Sequence, residues 1–160
     1  MKTCVFAGTF DPLTNGHVYV INKCLQTFGK VIVAVGANHD KAPVFTLSER
    51  MDMIKQTFID NPNVLVKEFN GMLVEFMKKE NVQINVRGIR DEKDYNYETK
   101  MAKYNQDLFP ELTTIFVPTP AELEHVSSSG VRTIMSYNTS AEKFVPEFVA
   151  KKIKEKFSNK

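Results

Sequence analysis

Gly8-Thr9-Phe10-Asp11-Pro12-Leu13-Thr14-Asn15-Gly16-His17 is the stretch on which the fold turns. It follows a short apolar run, Lys2–Phe6, and precedes Gly16–Phe28, where Val18, Ile21, Leu25 and Phe28 recur at helical spacing. The reading is strand, glycine-bearing turn, helix. Such a turn lets backbone N–H groups approach an anion, and the helix start adds about half a positive charge. The sequence contains neither GxxxxGK[ST] nor GxGxxG, so the turn is neither a P-loop nor a dinucleotide fingerprint. In Thr14-Asn15-Gly16-His17, Gly16 removes bulk where a ligand would lie and His17 directs an imidazole N–H into the same space. An isolated TxGH is accounted for by a helix cap, with Thr14 or Asn15 capping and His17 exposed. Joined to Gly8-Thr9-Phe10-Asp11-Pro12 at this offset, it reads as a ligand site.

Outward from this unit, strand-like and helix-like segments alternate. Lys30–Val35 is a β-branched run of the kind buried on both faces. Thr46-Leu47-Ser48-Glu49 has capping-box spacing, and Leu47, Met51, Ile54 and Phe58 form one face behind it. The pattern then predicts a strand at Val64–Glu68, a helix at Met72–Glu80, a strand at Gln83–Val86 and a helix from about Asp94 to Asp107. Tyr97, Met101, Tyr104 and Leu108 form that helix's stripe, facing either the core or a neighbouring molecule. Thr113–Val117 is the fifth strand; Ser128–Tyr137 and Pro146–Phe157 are the last helices, the second with Pro in its first turn. The alternation implies right-handed crossovers and a parallel sheet, an α/β fold with a doubly wound five-stranded sheet in a single domain over 1–160, the C-terminal helical region of about 141–157 packed on it. Ligands bind such sheets beyond the carboxyl ends of the strands, where strand order reverses. The small, cationic and hydroxyl residues cluster after strand ends, where one cleft would collect them.

The chain has 160 residues with 42% apolar and 25% charged residues, which is ordinary for one globular domain. No apolar run approaches the roughly 18 residues that span a bilayer, and the N-terminal segment lacks a signal-peptide core, so a cytoplasmic location and no membrane partner are expected. The formal charge is +2; the last twenty residues carry six Lys and three Glu, which leaves the other 140 at −1. No long basic face forms, and nucleic acid is not an expected partner. Cys4 and Cys24 read as a reduced, buried pair. Asn138-Thr139-Ser140 fits the glycosylation pattern, which a cytosolic chain would not use.

Arg87-Gly88-Ile89-Arg90 places two guanidinium groups just past the fourth strand, and arginine suits bidentate phosphate contact. Lys41 sits in a polar loop, where a solvated lysine is ordinary, but it can swing over a phosphate. One of Ser127-Ser128-Ser129 is needed as a helix cap, which leaves further hydroxyls for a second anion. His125 is as readily exposed as functional, and His39 is a loop residue. HExxH and GxSxG are absent, and no carboxylate pair for acid–base work stands out. A phosphate nucleophile already carries charge near neutrality, so its reaction needs charge neutralisation and alignment more than a general base.

These residues together resemble the nucleotidylyltransferase superfamily and, within it, the bacterial phosphopantetheine adenylyltransferase family. The likeness runs nearly end to end, through Lys41, Phe45-Thr46-Leu47, Glu49-Arg50, Arg87-Gly88-Ile89-Arg90, Asp94 to Glu98, Asn105, Pro110-Glu111-Leu112, the triple serine and Phe144-Val145-Pro146-Glu147. The resemblance implies a Rossmann-like fold, a hexamer and the conversion of ATP and 4′-phosphopantetheine to dephospho-coenzyme A and pyrophosphate, with Mg2+. It implies that His17, Lys41 and Arg90 act on the reacting phosphates. It implies an ATP site of Thr9, Phe10, His17, Gly88, Ile89, Arg90, Glu98 and the run Leu123, Glu124, His125, Val126, Ser127, Ser128 and Ser129. Thr9, Lys41, Leu73 and Arg87 would take phosphopantetheine, and Mg2+ would be held by substrate and water rather than by protein ligands. The chain departs from the family pattern at Ala7, Tyr95-Asn96, Gly130, Arg132 and Thr133; none of these removes a cation from the site. The rival readings are another TxGH nucleotidylyltransferase, such as one acting on nicotinamide mononucleotide or CTP, and a catalytically silent nucleotide-binding module. A fragment of an aminoacyl-tRNA synthetase fails on size and on the missing basic surface.

Overall fold

The computed structural model describes residues 1–37 and 42–158. Five strands, β1 (Lys2–Gly8), β2 (Gly29–Gly36), β3 (Val64–Phe69), β4 (Ile84–Ile89) and β5 (Thr113–Pro118), form one parallel sheet in the order β3-β2-β1-β4-β5. Six helices, α1 (Asn15–Phe28), α2 (Leu47–Thr57), α3 (Leu73–Glu80), α4 (Glu92–Leu108), α5 (Ser128–Ser136) and α6 (Glu147–Phe157), connect and cover it. This is the expected Rossmann-like, doubly wound arrangement. The order steps one way from β1 to β3 and the other way from β4 to β5, so the reversal lies between β1 and β4.

The sheet is buried from both sides, which is why β1 and β2 read as nearly continuous apolar runs. Alternate residues feed two cores. Cys4, Phe6, Val31, Val33 and Val86 pack with α1, α2, α5 and α6. Val5, Ala7, Ile32 and Ala34 pack with Val74 and Met77 of α3 and with Phe109 and Leu112. Cys4 and Cys24 are free thiols buried in the first core. Their mutual hydrogen bond and burial push the Cys24 thiol pKa far up.

Three boundaries and one short turn correct the sequence reading. β4 does not stop at Val86: Arg87, Gly88 and Ile89 pair with Phe116, Val117 and Pro118 of β5. A Cβ at Gly88 would meet Val20 Cγ2 of α1 at 3.1 Å, so the glycine marks a close approach of helix to strand. α4 begins two residues earlier, because Asp91 caps it by accepting the Asp94 N–H at 2.8 Å. Pro146 is the N-cap of α6 rather than its first helical residue. A short 3-10 turn at Ala121–Leu123 has no counterpart in the periodicity. The α4 stripe does not enter the core: no α4 residue is buried, and Tyr97 and Tyr104 are 63% and 65% exposed.

Candidate active site

The start of α1 sets the geometry. Thr14 is its N-cap, with its hydroxyl accepting the His17 N–H at 3.4 Å. His17 stands where a capping box has Glu or Gln, and its Nδ1 accepts the Thr14 backbone N–H at 3.0 Å. The cap and the ligand-facing role foreseen for these residues are therefore one arrangement. With Nδ1 occupied as an acceptor, the ring proton sits on Nε2. Burial, then the nearby charges of Arg90 and Arg87, lower the His17 pKa to about 4. The ring is a neutral donor at pH 7. Asn15 holds the same helix start from the far end of the chain, donating its backbone N–H to Phe144 O and its side-chain amide to Lys143 O.

The turn after β1 is held by two charged residues to which no local pattern assigns a role. Asp11 is buried, and its two carboxylate oxygens accept the N–H groups of Val44 and Phe45, each at 2.9 Å. Arg50 of α2 is 1% exposed and donates to Thr9 O (2.8 Å), Gly36 O (3.0 Å) and Phe45 O (3.1 Å). Burial lowers the Arg50 pKa, and the charge of Asp11 counters it. Arg132 of α5 donates to Asp11 O at 2.8 Å. Phe10, expected as a ligand contact, is 1% exposed at φ 54°; its ring meets the Phe6 and His17 rings edge-on at 5.5 and 4.8 Å and backs the imidazole.

Arg87 and Arg90 both reach the reversal point, and both are already paired. Arg87 makes a two-pronged bond to Glu98 (3.0 and 2.8 Å) and donates to Ala7 O at 2.7 Å. Arg90 donates its backbone N–H and Nε to Asp94 Oδ2 at 3.1 and 3.2 Å. Those bonds leave its terminal nitrogens to point elsewhere. Glu98, expected at the nucleotide, here orients a guanidinium.

Ser127 caps α5 by accepting the Gly130 N–H at 3.0 Å. Ser128 donates to Pro12 O at 2.8 Å and ties α5 to the β1 turn. Ser129 shares only a 3.2 Å hydroxyl contact with Ser127, so its side chain is the least committed of the three. Gly130, where the family pattern has a larger residue, sits where a Cβ would come within 3.2 Å of Ser127 Oγ.

These residues enclose a cleft of about 650 Å3 at the reversal point, lined by Gly8, Thr9, Phe10, Gly16, His17, Gly88, Arg90, Glu98, Val126 and the three serines, with Arg87 and Arg132. The N-termini of α1 and α5 both border it. A second cavity of about 430 Å3 adjoins on the α3–α4 side, lined by Leu73, Phe69, Met101, Asn85 and Asn105. Ala7, Gly8, Thr9, Arg87 and Glu98 line both. Of the residues expected at a ligand, Ile89, Leu123, Glu124 and His125 do not line either cavity. Ile89 ends β4 with its carbonyl accepting the Thr119 N–H, and His125 packs edge-on against Phe144. Lys41 lies outside the described residues.

The sequence profile of the cytidylyltransferase-like family matches residues 5–134. A phosphopantetheine adenylyltransferase of Carboxydothermus hydrogenoformans is 40% identical over 157 residues, covering 98% of this chain and 97% of its own. Those of Dictyoglomus turgidum and Clostridium tetani are 39% and 38% identical over all 160 residues. The chain belongs to the cytidylyltransferase-like family and, within it, to the phosphopantetheine adenylyltransferases. A bifunctional NMN adenylyltransferase/ADP ribose pyrophosphatase from Francisella tularensis shares the fold at TM-score 0.70 and 18% identity, over 90% of this chain and 44% of that one. The family places the resemblance seen in the TxGH turn across the full length of the chain. It also makes the adjoining cavities, one evenly polar and apolar and the other more apolar, the feature to be explained.

Proposed function

We propose that the chain transfers AMP from ATP to 4′-phosphopantetheine, giving dephospho-coenzyme A and pyrophosphate, the penultimate step of coenzyme A synthesis. The observation that carries this reading is the junction of the two cavities. One has two helix N-termini and a neutral imidazole donor at a glycine turn, and the other is more apolar; they meet at Gly8, Thr9 and Arg87. ATP takes the first, the pantetheine arm takes the second, and both phosphates come together at the shared wall.

The reaction is a displacement. An oxygen of the acceptor phosphate attacks the α-phosphorus of ATP, a P–O bond forms, and the bond to pyrophosphate breaks. No side chain needs to remove a proton, because the acceptor phosphate is already anionic. His17 donates its Nε2 hydrogen bond to the α-phosphate as charge builds there. With Nδ1 held by Thr14 and a lowered pKa, it enters the reaction neutral and leaves it neutral. The free nitrogens of Arg90, the N–H groups of the α1 and α5 starts and the Ser129 hydroxyl offset the remaining charge, together with Lys41. Arg87 serves the acceptor phosphate after partly exchanging Glu98 for it. Gly88 and Ile89 bring Arg90 to the nucleotide, and Leu123 to His125 support the Val126–Ser129 wall. Mg2+, when bound with ATP, would be held largely by phosphate oxygens and water, as is usual for this ion, and would supply charge neutralisation at the transferring phosphates.

We further infer one domain over 1–160, a cytoplasmic setting and a homo-hexamer. The exposed Tyr97–Tyr104–Leu108 stripe supports assembly, being a patch that a lone globule seldom leaves open. No described helix is long and apolar enough to cross a membrane. The test is pyrophosphate release with ATP plus 4′-phosphopantetheine, run beside CTP as donor and nicotinamide mononucleotide as acceptor. Turnover confined to the first pair supports the reading; turnover with another pair, or ATP binding without turnover, replaces it.

A further inference from the structure

The floor of the second cavity carries an oddity that the transfer chemistry does not use. Asn85 lies in β4 between Val5 of β1 and Thr114 of β5, on the face whose other buried residues are Val5, Ala7, Ile32 and Ala34. Valine or isoleucine is the ordinary occupant of such a central position, and asparagine is disfavoured there. Asn85 is 2% exposed, and its carboxamide oxygen has no hydrogen-bond partner, alone among the buried side-chain polar atoms of the described residues. An orphan of this kind costs the folded protein more than a made hydrogen bond returns, and such groups are rare. Nothing within the described fold offsets that cost, yet the residue borders a cavity.

We propose that Asn85 is a specificity-determining residue of the acceptor pocket, its carboxamide pairing with a secondary amide of the bound acceptor. The chemistry selects the partner. A carboxamide offers one acceptor and one donor side by side, and a secondary amide answers with N–H and C=O whichever way Asn85 is turned. Asn85 stands two residues before Arg87 on the same face, roughly 7 Å along the strand, so a ligand whose phosphate sits at Arg87 presents its next polar groups near it. Thr114 and Asn105 line the same space and make it suitable for a chain that alternates amides with methylenes, while Leu73 and Met101 cover the methylenes. A site built to hydrogen-bond a ligand group rejects analogues lacking it far more strongly than an apolar wall does. The proposal rests on the adenylyl-transfer reading and names what that site selects.

The test compares wild type with Asn85→Leu and, in case leucine overfills the site, Asn85→Val. With 4′-phosphopantetheine, KM should rise about tenfold or more while KM for ATP and the saturated rate stay put. Ligand-free, both variants should melt above the wild type, because the orphan is gone. A water-bridged structural asparagine gives the opposite pair of results, a lowered Tm with unchanged KM, and overturns the proposal. Calorimetry with pantetheine, which has both amides and no phosphate, and with pantoate, which has neither, separates this idea from the reaction itself. Weaker pantetheine binding in the variants with pantoate unaffected supports the assignment, and equal pantetheine affinity sinks it. Absence of pyrophosphate release by the wild type would instead sink the transfer reading.

Discussion

Two helices aim their N-termini into the same cleft and are finished differently. α1 begins with a closed loop of bonds: Thr14 Oγ accepts from His17 N–H and Thr14 N–H donates to the His17 ring. Asp11, Arg50 and the Phe144 carbonyl then fix the surrounding turn from other parts of the chain. α5 begins with a serine cap and nothing reciprocal, a glycine in its first turn and one loosely held hydroxyl at Ser129. The first start is preorganised, so its donors need not rearrange as charge develops, which is where electrostatic stabilisation is most effective. The second can adjust to the nucleotide. On the proposed reading, the contrast gives turnover to α1 and affinity to α5.

Substitution at His17 tests that division with the largest effect. His17→Ala should cut turnover by about 100- to 1,000-fold while ATP affinity, measured by calorimetry, changes only a few-fold. Equal losses in both would make His17 a simple ground-state contact. Next is Arg50→Met, which removes the buried donor to Thr9 O, Gly36 O and Phe45 O. Denaturant melts should show a loss of about 3 kcal/mol or more, the cost of buried carbonyls left without a donor, with turnover falling at temperatures where the protein remains folded.

The protonation of His17 gives a third test. Its folded pKa of about 4 lies below the unfolded value of 6.5, so the unfolded chain binds the proton first. The stability tied to the neutral ring is whole above pH 6.5 and is lost as pH falls toward 4, up to about 3 kcal/mol. His17→Gln should abolish that slope; an identical pH profile in wild type and variant would show the ring to be solvated. The smallest effects are expected at α5. Ser127→Ala should cost about 1 kcal/mol of stability, whereas Ser129→Ala should leave Tm alone and raise KM for ATP a few-fold. A turnover loss at Ser129 as large as that at His17 would erase the contrast between the two helix starts.

The division also explains what could be read without coordinates. Strand–helix alternation, the α1 turn and the Thr46–Glu49 box depend on neighbours in sequence, and each stands as read. Asp11, Arg50 and Asn85 act through partners on other elements, and a buried Asp or Arg looks the same in sequence as a solvated one. The reason for Gly88, the approach of Val20, is 68 positions away in the chain. Arg87 and Glu98 were each legible as candidates but not as each other's partner. Leu123 to His125 follow the pattern of a binding run, yet the 3-10 turn directs only Val126 and the serines to the cleft.

The central claim is that the acceptor's phosphate oxygen displaces pyrophosphate from the α-phosphorus within one cleft. Turnover with 4′-phosphopantetheine carrying oxygen-18 in its phosphate, followed by phosphorus NMR and mass spectrometry of both products, tests it directly. The account predicts label retained in dephospho-coenzyme A, including the bridging P–O–P oxygen, and none in pyrophosphate. Label in pyrophosphate, or a bridge oxygen derived from ATP, would contradict it.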